Sequence, residues 1–401
     1  MKLIKDFIIG VVTYNRYDYL DELIEDIYSQ SILPKEIIIS DNGEGYKLKN
    51  KISVPVTIIK NSYNYGTCRG ANQIFKLSNG NDILNMCDDN YFVDQYSLEK
   101  IYNKFRENAY DLLLCNNWAS FMCSKKWLKC TGELDENIWP CFFEDSDYTQ
   151  RIRKNVKNEV SHNCGFYESL RCVNNHEETE VVGNKRGTAE TLIVRKHNDL
   201  VKRSFYYYLY KWNSVKFFKI GEEGSLHDDT MPLSLFQDGN NVDVLKFEID
   251  FLKNKIRGNT IQNIDNKIFY FVDEILKLKE LNFENIIEIG TSRAYCSRLL
   301  LLLKPTFLNS YDEEFNLCHD IIKHFNYLLD LRVSVNLKNL LDLGNENCDL
   351  LVINEGYFNK EYIEKINFKF LLFFGKKELE CLPSIELFVE GEEFNMYLYR
   401  K

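Results

Sequence analysis

The residues best suited to chemistry are two adjacent carboxylates, Asp88 and Asp89, which follow the stretch Asp82-Ile-Leu-Asn-Met-Cys87. Ile83, Leu84 and Met86 form a short apolar run of the size of a buried parallel strand. Ligands of open α/β sheets bind just outside the carboxyl ends of such strands. Paired carboxylates there suit a hard divalent cation that also grips a substrate diphosphate. The same two acids also read as a solvated turn, so their neighbours must decide. A second acidic group is Glu144-Asp145-Ser146-Asp147. On a helix Glu144 and Asp147, three apart, share a face, with Asp145 offset. Carboxylates this dense raise one another's pKa, which suits proton transfer, and they also favour the positive end of a helix dipole.

Such acids need a scaffold that gathers them at one edge. Residues 7–13 are an apolar run ending at Tyr14-Asn15-Arg16, and residues 18–30 carry Leu20, Leu23, Ile24, Ile27 and Tyr28 at helical spacing. Pro34 closes that segment, and a second strand from Glu36 ends in Asp41-Asn42-Gly43. Residues 54–59 make a third strand ending at Lys60-Asn61, and residues 64–72 form a glycine-bearing turn into a helix reaching Leu77. Strand, helix, strand, strand, helix, strand predicts a parallel α/β nucleotide-binding sheet. Thr13, Asp41, Asn61 and Asp88/Asp89 then all stand at strand ends facing one crevice.

Bulk properties bound the rest. A chain of 401 residues, 45% apolar and 14% aromatic, is expected to fold as two or three domains. No apolar run approaches the ~18 residues of a membrane span, and the first ten residues lack the form of a signal peptide. The twelve cysteines include no Cys-x-x-Cys pair and sit in apolar runs, which suggests buried thiols in a reducing, cytoplasmic setting. Residues 1–220 carry 30 basic against 29 acidic side chains and residues 221–401 carry 20 against 31. An acidic second half disfavours a nucleic-acid partner, because phosphate neutralisation needs clustered Lys and Arg. The basic excess within residues 151–220 fits an anionic acceptor, a membrane surface or simply a solvated face. The aromatic-basic run Phe205-Tyr-Tyr-Tyr-Leu-Tyr-Lys211-Trp212 packs on its own domain or touches a membrane interface peripherally. Helical spacing extends over 188–219, 243–257 and 267–281, with turn-rich residues 221–241 between.

Val12-Thr13-Tyr14-Asn15-Arg16, the Ile-rich strand to Asp41-Asn42-Gly43, the acids after the fourth strand, and Thr131-Gly-Glu-Leu-Asp-Glu136 followed by Phe143-Glu-Asp-Ser-Asp-Tyr148 together resemble family-two glycosyltransferases of GT-A fold, over roughly residues 6–215. The resemblance implies a metal-dependent, inverting transfer of a sugar from a UDP-, GDP- or dTDP-sugar to a hydroxyl acceptor such as a glycan. It implies Asp145 as general base with Glu144 beside it. Asp89 becomes the Mn2+ or Mg2+ ligand, with His176 as a second metal contact. Thr13, Tyr14, Asn15, Asp41 and Arg69 become the nucleotide wall. The family pattern is Asp-x-Asp, and Cys87 stands where its first acid belongs, so Asp88 takes over that nucleotide contact. Trp118 and Trp139 are either sugar platforms or packing.

The second half reads as a further α/β domain. Asn285-Ile-Ile-Glu288-Ile-Gly290-Thr-Ser is a strand and turn, Asp312 ends a second strand, and Cys348–Ile353 and residues 368–374 are further strands. This resembles a class I methyltransferase domain of Rossmann-like fold, which implies S-adenosylmethionine held by Glu288, Gly290 and Asp312. Arg293-Ala294 stands where a second glycine is usual and Asn354 where an acid is common, the marks of a degenerate domain. The expected organisation is therefore α/β throughout: a GT-A domain over 1–215, a helical linker over 216–265 and a Rossmann-like domain over 266–401. Two rivals to glycosyl transfer stand beside it: a methyltransferase acting on a sugar, and a non-catalytic glycan-binding scaffold.

Overall fold

The computed structural model describes residues 2–49, 53–116, 118–155, 166–167, 170–174, 181–184, 198–211, 243–254, 271–290, 295–312, 315–354, 359–375, 385–389 and 395–401. The chain divides into two compact units, Met1–Val242 and Asp243–Lys401.

The first unit runs β1 (Leu3–Thr13), α1 (Tyr17–Ser29), β2 (Ile32–Asp41), β3 (Val56–Lys60), α2 (Gly66–Leu77), β4 (Asp82–Cys87), β5 (Asn90–Phe92), α3 (Ser97–Glu107), β6 (Leu112–Asn116), β7 (Ser120–Cys123), α4 (Lys125–Thr131), α5 (Glu144–Asn155), β8 (Phe166–Tyr167), β9 (Leu170–Asn174), β10 (Val182–Asn184) and α6 (Asn198–Lys211). Its main sheet has the order β3-β2-β1-β4-β7-β6-β9-β8. β3, β2, β1 and β4 are parallel, and β7 runs antiparallel to both β4 and β6. Parallel strands end on one edge, and the register pairs Thr13 with Asp41, Asp41 with Lys60, and Val12 with Cys87. The strand ends expected to share one edge therefore do so.

Helix α1 buries Leu20, Leu23, Ile24 and Ile27, the stripe its spacing dictates. Each such aliphatic contributes roughly 1.5–3 kcal/mol when fully buried. Together with Phe7, Ile9, Val11 and Leu84 they form the core beneath the edge. Pro34 does not precede the second strand; it lies inside β2, opposite Lys5. β3 pairs with β2 only from Ile37 onward, so at Pro34 one flank of the strand has no neighbour among the described residues and its missing N–H costs no ladder bond there. β6, β7 and the two-stranded antiparallel pair β5–β10 are additional to the strands expected from the sequence. Helix α2 lies close on β1: a Cβ on Gly70 would come 2.8 Å from Val12 Cγ1. Of the helical spacing over 188–219, the described part is α6.

The second unit comprises α7 (Val244–Asn254), α8 (Val272–Lys277), β11 (Asn285–Ile289), α9 (Tyr295–Leu302), β12 (Phe307–Asp312), α10 (Phe315–Leu328), β13 (Ser334–Asn339), β14 (Asn347–Asn354), α11 (Lys360–Lys365), β15 (Asn367–Gly375), β16 (Ile385–Val389) and β17 (Asn395–Arg400). The sheet order is β13-β12-β11-β14-β15-β17-β16, parallel except at β17. This is the doubly wound, Rossmann-like arrangement with one reversed strand. Of the spacing over 267–281, the described part is α8 and a 3-10 turn, Leu278–Leu281, closed by Asn282 in the left-handed region. Helix α7 falls within the linker expected over 216–265 but belongs to this unit, where Glu248 and Arg298 form a buried ion pair.

Candidate active site

The turn between β4 and β5 presents the two acids. Asp88 and Asp89 are each only 5% exposed, and one guanidinium spans them. Arg16 Nη1 lies 3.1 Å from Asp88 Oδ1, and Nη2 lies 3.0 Å from Asp89 Oδ2. Thr13 Oγ1 donates to the other oxygen of Asp88 at 2.8 Å. Burial pushes the Asp88 carboxyl up to about 6, with Arg16 and Thr13 pulling against it and Asp89 adding to it. The turn is closed from behind, where the Cys87 N–H donates to Asn90 Oδ1 at 2.8 Å. The Cys87 thiol is driven far above its ordinary range by burial and by the charges of Asp89 and Asp88, so it stays neutral.

At the end of β1, Tyr14 is half-buried and Asn15 is exposed, with a left-handed φ of +56°. Asn15 Oδ1 accepts the Glu44 N–H at 2.9 Å. Asp41 is fully buried, and both its oxygens fold the loop after β2. One accepts the Gly43 N–H at 2.9 Å and the Tyr17 hydroxyl at 3.0 Å; the other accepts the Tyr46 N–H at 2.5 Å. Arg69, in the first turn of α2, donates to the Tyr63 hydroxyl at 2.8 Å and has its guanidinium carbon 3.7 Å from the centre of the Tyr65 ring. Asn72 of α2 binds the next loop twice, accepting the Leu134 N–H at 2.9 Å and donating to Leu134 O at 2.9 Å.

Helix α5 begins at Glu144, immediately after two left-handed aromatics, Phe142 (φ +72°) and Phe143 (φ +73°). Non-glycine residues there are strained, and such backbone clusters at functional sites. Glu144 Oε2 is buried and finds no hydrogen-bond donor among the described residues. Burial, and then the neighbouring Asp145, hold this carboxyl well above the usual carboxylate range. Its charge also acts on the Cys87, Cys68 and Cys141 thiols, which places the start of α5 beside the end of β4. Asp145 is half-buried and accepts the Ser146 N–H at 2.7 Å. Asp147 parts from the other two: fully buried, it meets Arg151 Nη2 and Lys211 Nζ, each at 2.6 Å. Lys211 also holds Asp135 at 2.8 Å, and Arg203 and Ser204 of α6 donate to the carbonyls of Asn137 and Trp139. Helix α6 thus pins the loop that leads into α5. Trp139 is 3% exposed and donates to Asn64 O, and Trp118 packs on Tyr148, so both rings have packing roles.

The structure therefore brings Thr13, Asp88, Asp89, Glu144 and Asp145 to one region. Asp41 and Arg69 build its flanks. His176 lies outside the described residues. Sequence reasoning missed Arg16 and Lys211 as working residues, although Arg16 sits directly after the first strand and its Thr13-Tyr14-Asn15 end. No group of three or more His, Cys, Asp or Glu side chains that could hold a metal occurs among the described residues. Asp89 Oδ1 takes no partner among the described residues, which leaves one hard oxygen ligand, enough for a cation held mainly by substrate phosphates and water.

In the second unit Glu288 is fully buried and accepts the Ser297 and Ser310 hydroxyls at 2.5 Å each. Gly290 has φ +85°, and the Asn354 amide donates to its carbonyl. Asp312 ends β12 at 4% exposure. Both serine hydroxyls reach the same carboxylate oxygen, Oε2. Residues 291–294, with Arg293 and Ala294, lie outside the described residues.

A mixed sheet with acids at the edge between its central parallel strands, followed by an acid-rich helix, gives the first unit the layout of a GT-A domain. Residues 8–175, less than half of the chain, match the family model "Glycosyl transferase family 2". The chain is also similar to an uncharacterized glycosyltransferase, YwdF, of Bacillus subtilis (strain 168), 35% identical over 96 residues, covering 23% of this chain and 35% of that protein. The chain thus spans about a third of the length of this curated relative. Among solved structures it resembles S. aureus TarS 1-349 (12% identity, TM-score 0.35, covering 67% of this chain and 86% of that one). It also resembles the ribosomal protein L11 methylase of Lactobacillus delbrueckii subsp. bulgaricus (13% identity, TM-score 0.28, 35% and 81%). No described helix is long and apolar enough to cross a membrane.

Proposed function

We propose that the first unit transfers a sugar from a nucleoside-diphosphate sugar to a hydroxyl acceptor, such as a glycan, with inversion at the anomeric carbon. One observation carries this reading: the end of β1, the Asp88-Asp89 turn and the start of α5 meet at one sheet edge. Asp145 takes the proton of the acceptor hydroxyl as its oxygen bonds to the anomeric carbon, and the bond from that carbon to the diphosphate oxygen breaks on the opposite face. The electron pair leaves with the nucleoside diphosphate. Thr13, Tyr14 and Asn15 line the nucleotide, and Asp88 with Thr13 shapes the wall beside it. Asp89 would hold Mn2+ or Mg2+ through Oδ1, with His176 as a second contact, and the cation would neutralise charge growing on the leaving diphosphate.

The test is a thermal-shift and calorimetric screen of the full chain against UDP, GDP, dTDP and S-adenosylmethionine, with and without Mn2+, followed by donor turnover. One nucleoside diphosphate should bind, more tightly with Mn2+. Asp145→Asn should lower transfer by about 10²–10⁴-fold without weakening nucleotide binding, the range for a general base. Binding of S-adenosylmethionine with no response to any nucleotide would replace this reading by the methyltransferase one. Silence to every ligand would favour a scaffold.

A further inference from the structure

We infer that Arg16 is the resident counter-ion of the Asp88-Asp89 pair: it competes with a divalent cation for Asp89, and it supplies the positive charge that the loaded pair shows to a diphosphate. The inference rests on the reading of the first unit as a metal-assisted glycosyltransferase. Its geometry is independent of that reading. The guanidinium reaches Asp88 and Asp89 at once, at 3.1 and 3.0 Å, with both carboxylates buried. The planar fork of Arg gives each acid its own N–H donor in a fixed geometry. Tyr19 backs the guanidinium from another side, 4.8 Å from its ring centre. Arg16 is itself about a quarter exposed, so it can yield one partner without leaving the site.

The charge balance gives this contact its consequence. One guanidinium against two carboxylates leaves the cluster at a net charge of −1, which repels a diphosphate. A divalent cation on Asp89 Oδ1 would raise it to +1, with Arg16 retained on Asp88. Without Arg16 the empty cluster would stand at −2 and the loaded one at zero. Removing Arg16 therefore acts in opposite directions on two ligands: it strengthens the metal alone and weakens the diphosphate in the presence of metal. General damage to the fold would weaken both.

The experiment titrates Mn2+ alone into the full chain by calorimetry and by electron paramagnetic resonance, and then titrates UDP, GDP and dTDP at saturating Mn2+. For Arg16→Ala, Mn2+ binding tightens by about tenfold, the size expected when one charge in close contact is removed. The nucleoside diphosphate that binds wild type weakens by a similar factor. Arg16→Lys shifts both in the same directions by less, and it serves as the readout if the alanine variant fails to fold. Unchanged or weaker Mn2+ binding in the variant overturns the inference, and so does absence of Mn2+ binding in both proteins. Failure of every nucleoside diphosphate to bind wild type instead removes the glycosyl-transfer reading, while the Mn2+ titration still decides the role of Arg16.

Discussion

Lys211 Nζ stands 2.6 Å from Asp147 Oδ1, with both side chains buried, and thereby fastens the last turn of α6 to the first turn of α5. The same ammonium reaches Asp135 Oδ2 at 2.8 Å, so one cation closes two acids of different segments. Despite its burial, which pushes it up, the Asp135 carboxyl is held below its ordinary range by Lys211 and by Asn137. Asp145, the general base of the proposed transfer, sits two residues from Asp147 and takes its position from this clamp.

Lys211→Met should therefore cost about 3–5 kcal/mol, because it strands buried carboxylates rather than merely removing a contact. That is a large share of the ~5–15 kcal/mol that holds a domain together. Urea denaturation of the full chain checks it, and adding Asp135→Asn to the variant should restore part of the loss. A surface ion pair such as Arg332–Asp330, more than 70% exposed on both sides, provides the contrast: breaking it should leave the urea midpoint almost unchanged.

Gly66 starts α2 with φ +75°, and a Cβ there would lie 2.6 Å from Trp139 Cδ1 and 2.7 Å from Pro140 O. Both faults are unavoidable for any L side chain. Gly66→Ala should destabilise the first unit by about 1–3 kcal/mol. It should also weaken nucleotide binding, because α2 carries Arg69. A melting curve and a nucleotide titration measured on one sample test both statements.

Glu144 supplies the pH prediction. Its carboxyl is raised by burial and by Asp145, so over the interval between its ordinary and its raised value the folded protein holds a proton that the unfolded chain has lost. Stability from this group is complete below the ordinary glutamate range and is lost as pH rises through the raised value. Glu144→Gln mimics the protonated form. Relative to wild type it should gain stability as pH rises above the ordinary glutamate range, and it should cost transfer less than about threefold near neutrality, far less than the 10²-fold minimum expected for Asp145→Asn. Chemical denaturation at several pH values, together with rates for both variants, checks the sign and the contrast.

Periodicity and strand-end chemistry made much of the first unit legible. The Leu20, Leu23, Ile24 and Ile27 stripe, the runs of β1, β2 and β4, and the meeting of Thr13, Asp41 and Asp88 all derive from local pattern and the common polarity of parallel strands. The Glu288 and Gly290 strand end of the second unit was legible for the same reason. Pro34 was misplaced because a proline reads as a break unless one knows which flank of the strand lacks a neighbour, and that is a property of β3.

Chain sequence by itself thus determined which residues end strands and which helices have a buried face, because those depend on spacing within about 15 residues. Only the tertiary structure decided how the acids divide their work. Asp41, Asp88, Asp89, Asp145 and Asp147 are alike as letters. The fold gives Asp41 to its own loop, Asp88 and Asp89 to Arg16, and Asp147 to Lys211 and Arg151, while Asp145 stands half-buried in the first turn of α5. A charge takes its role from its partner and its burial, and in this chain the partners come from segments far apart in sequence that only the folded sheet and helices bring together.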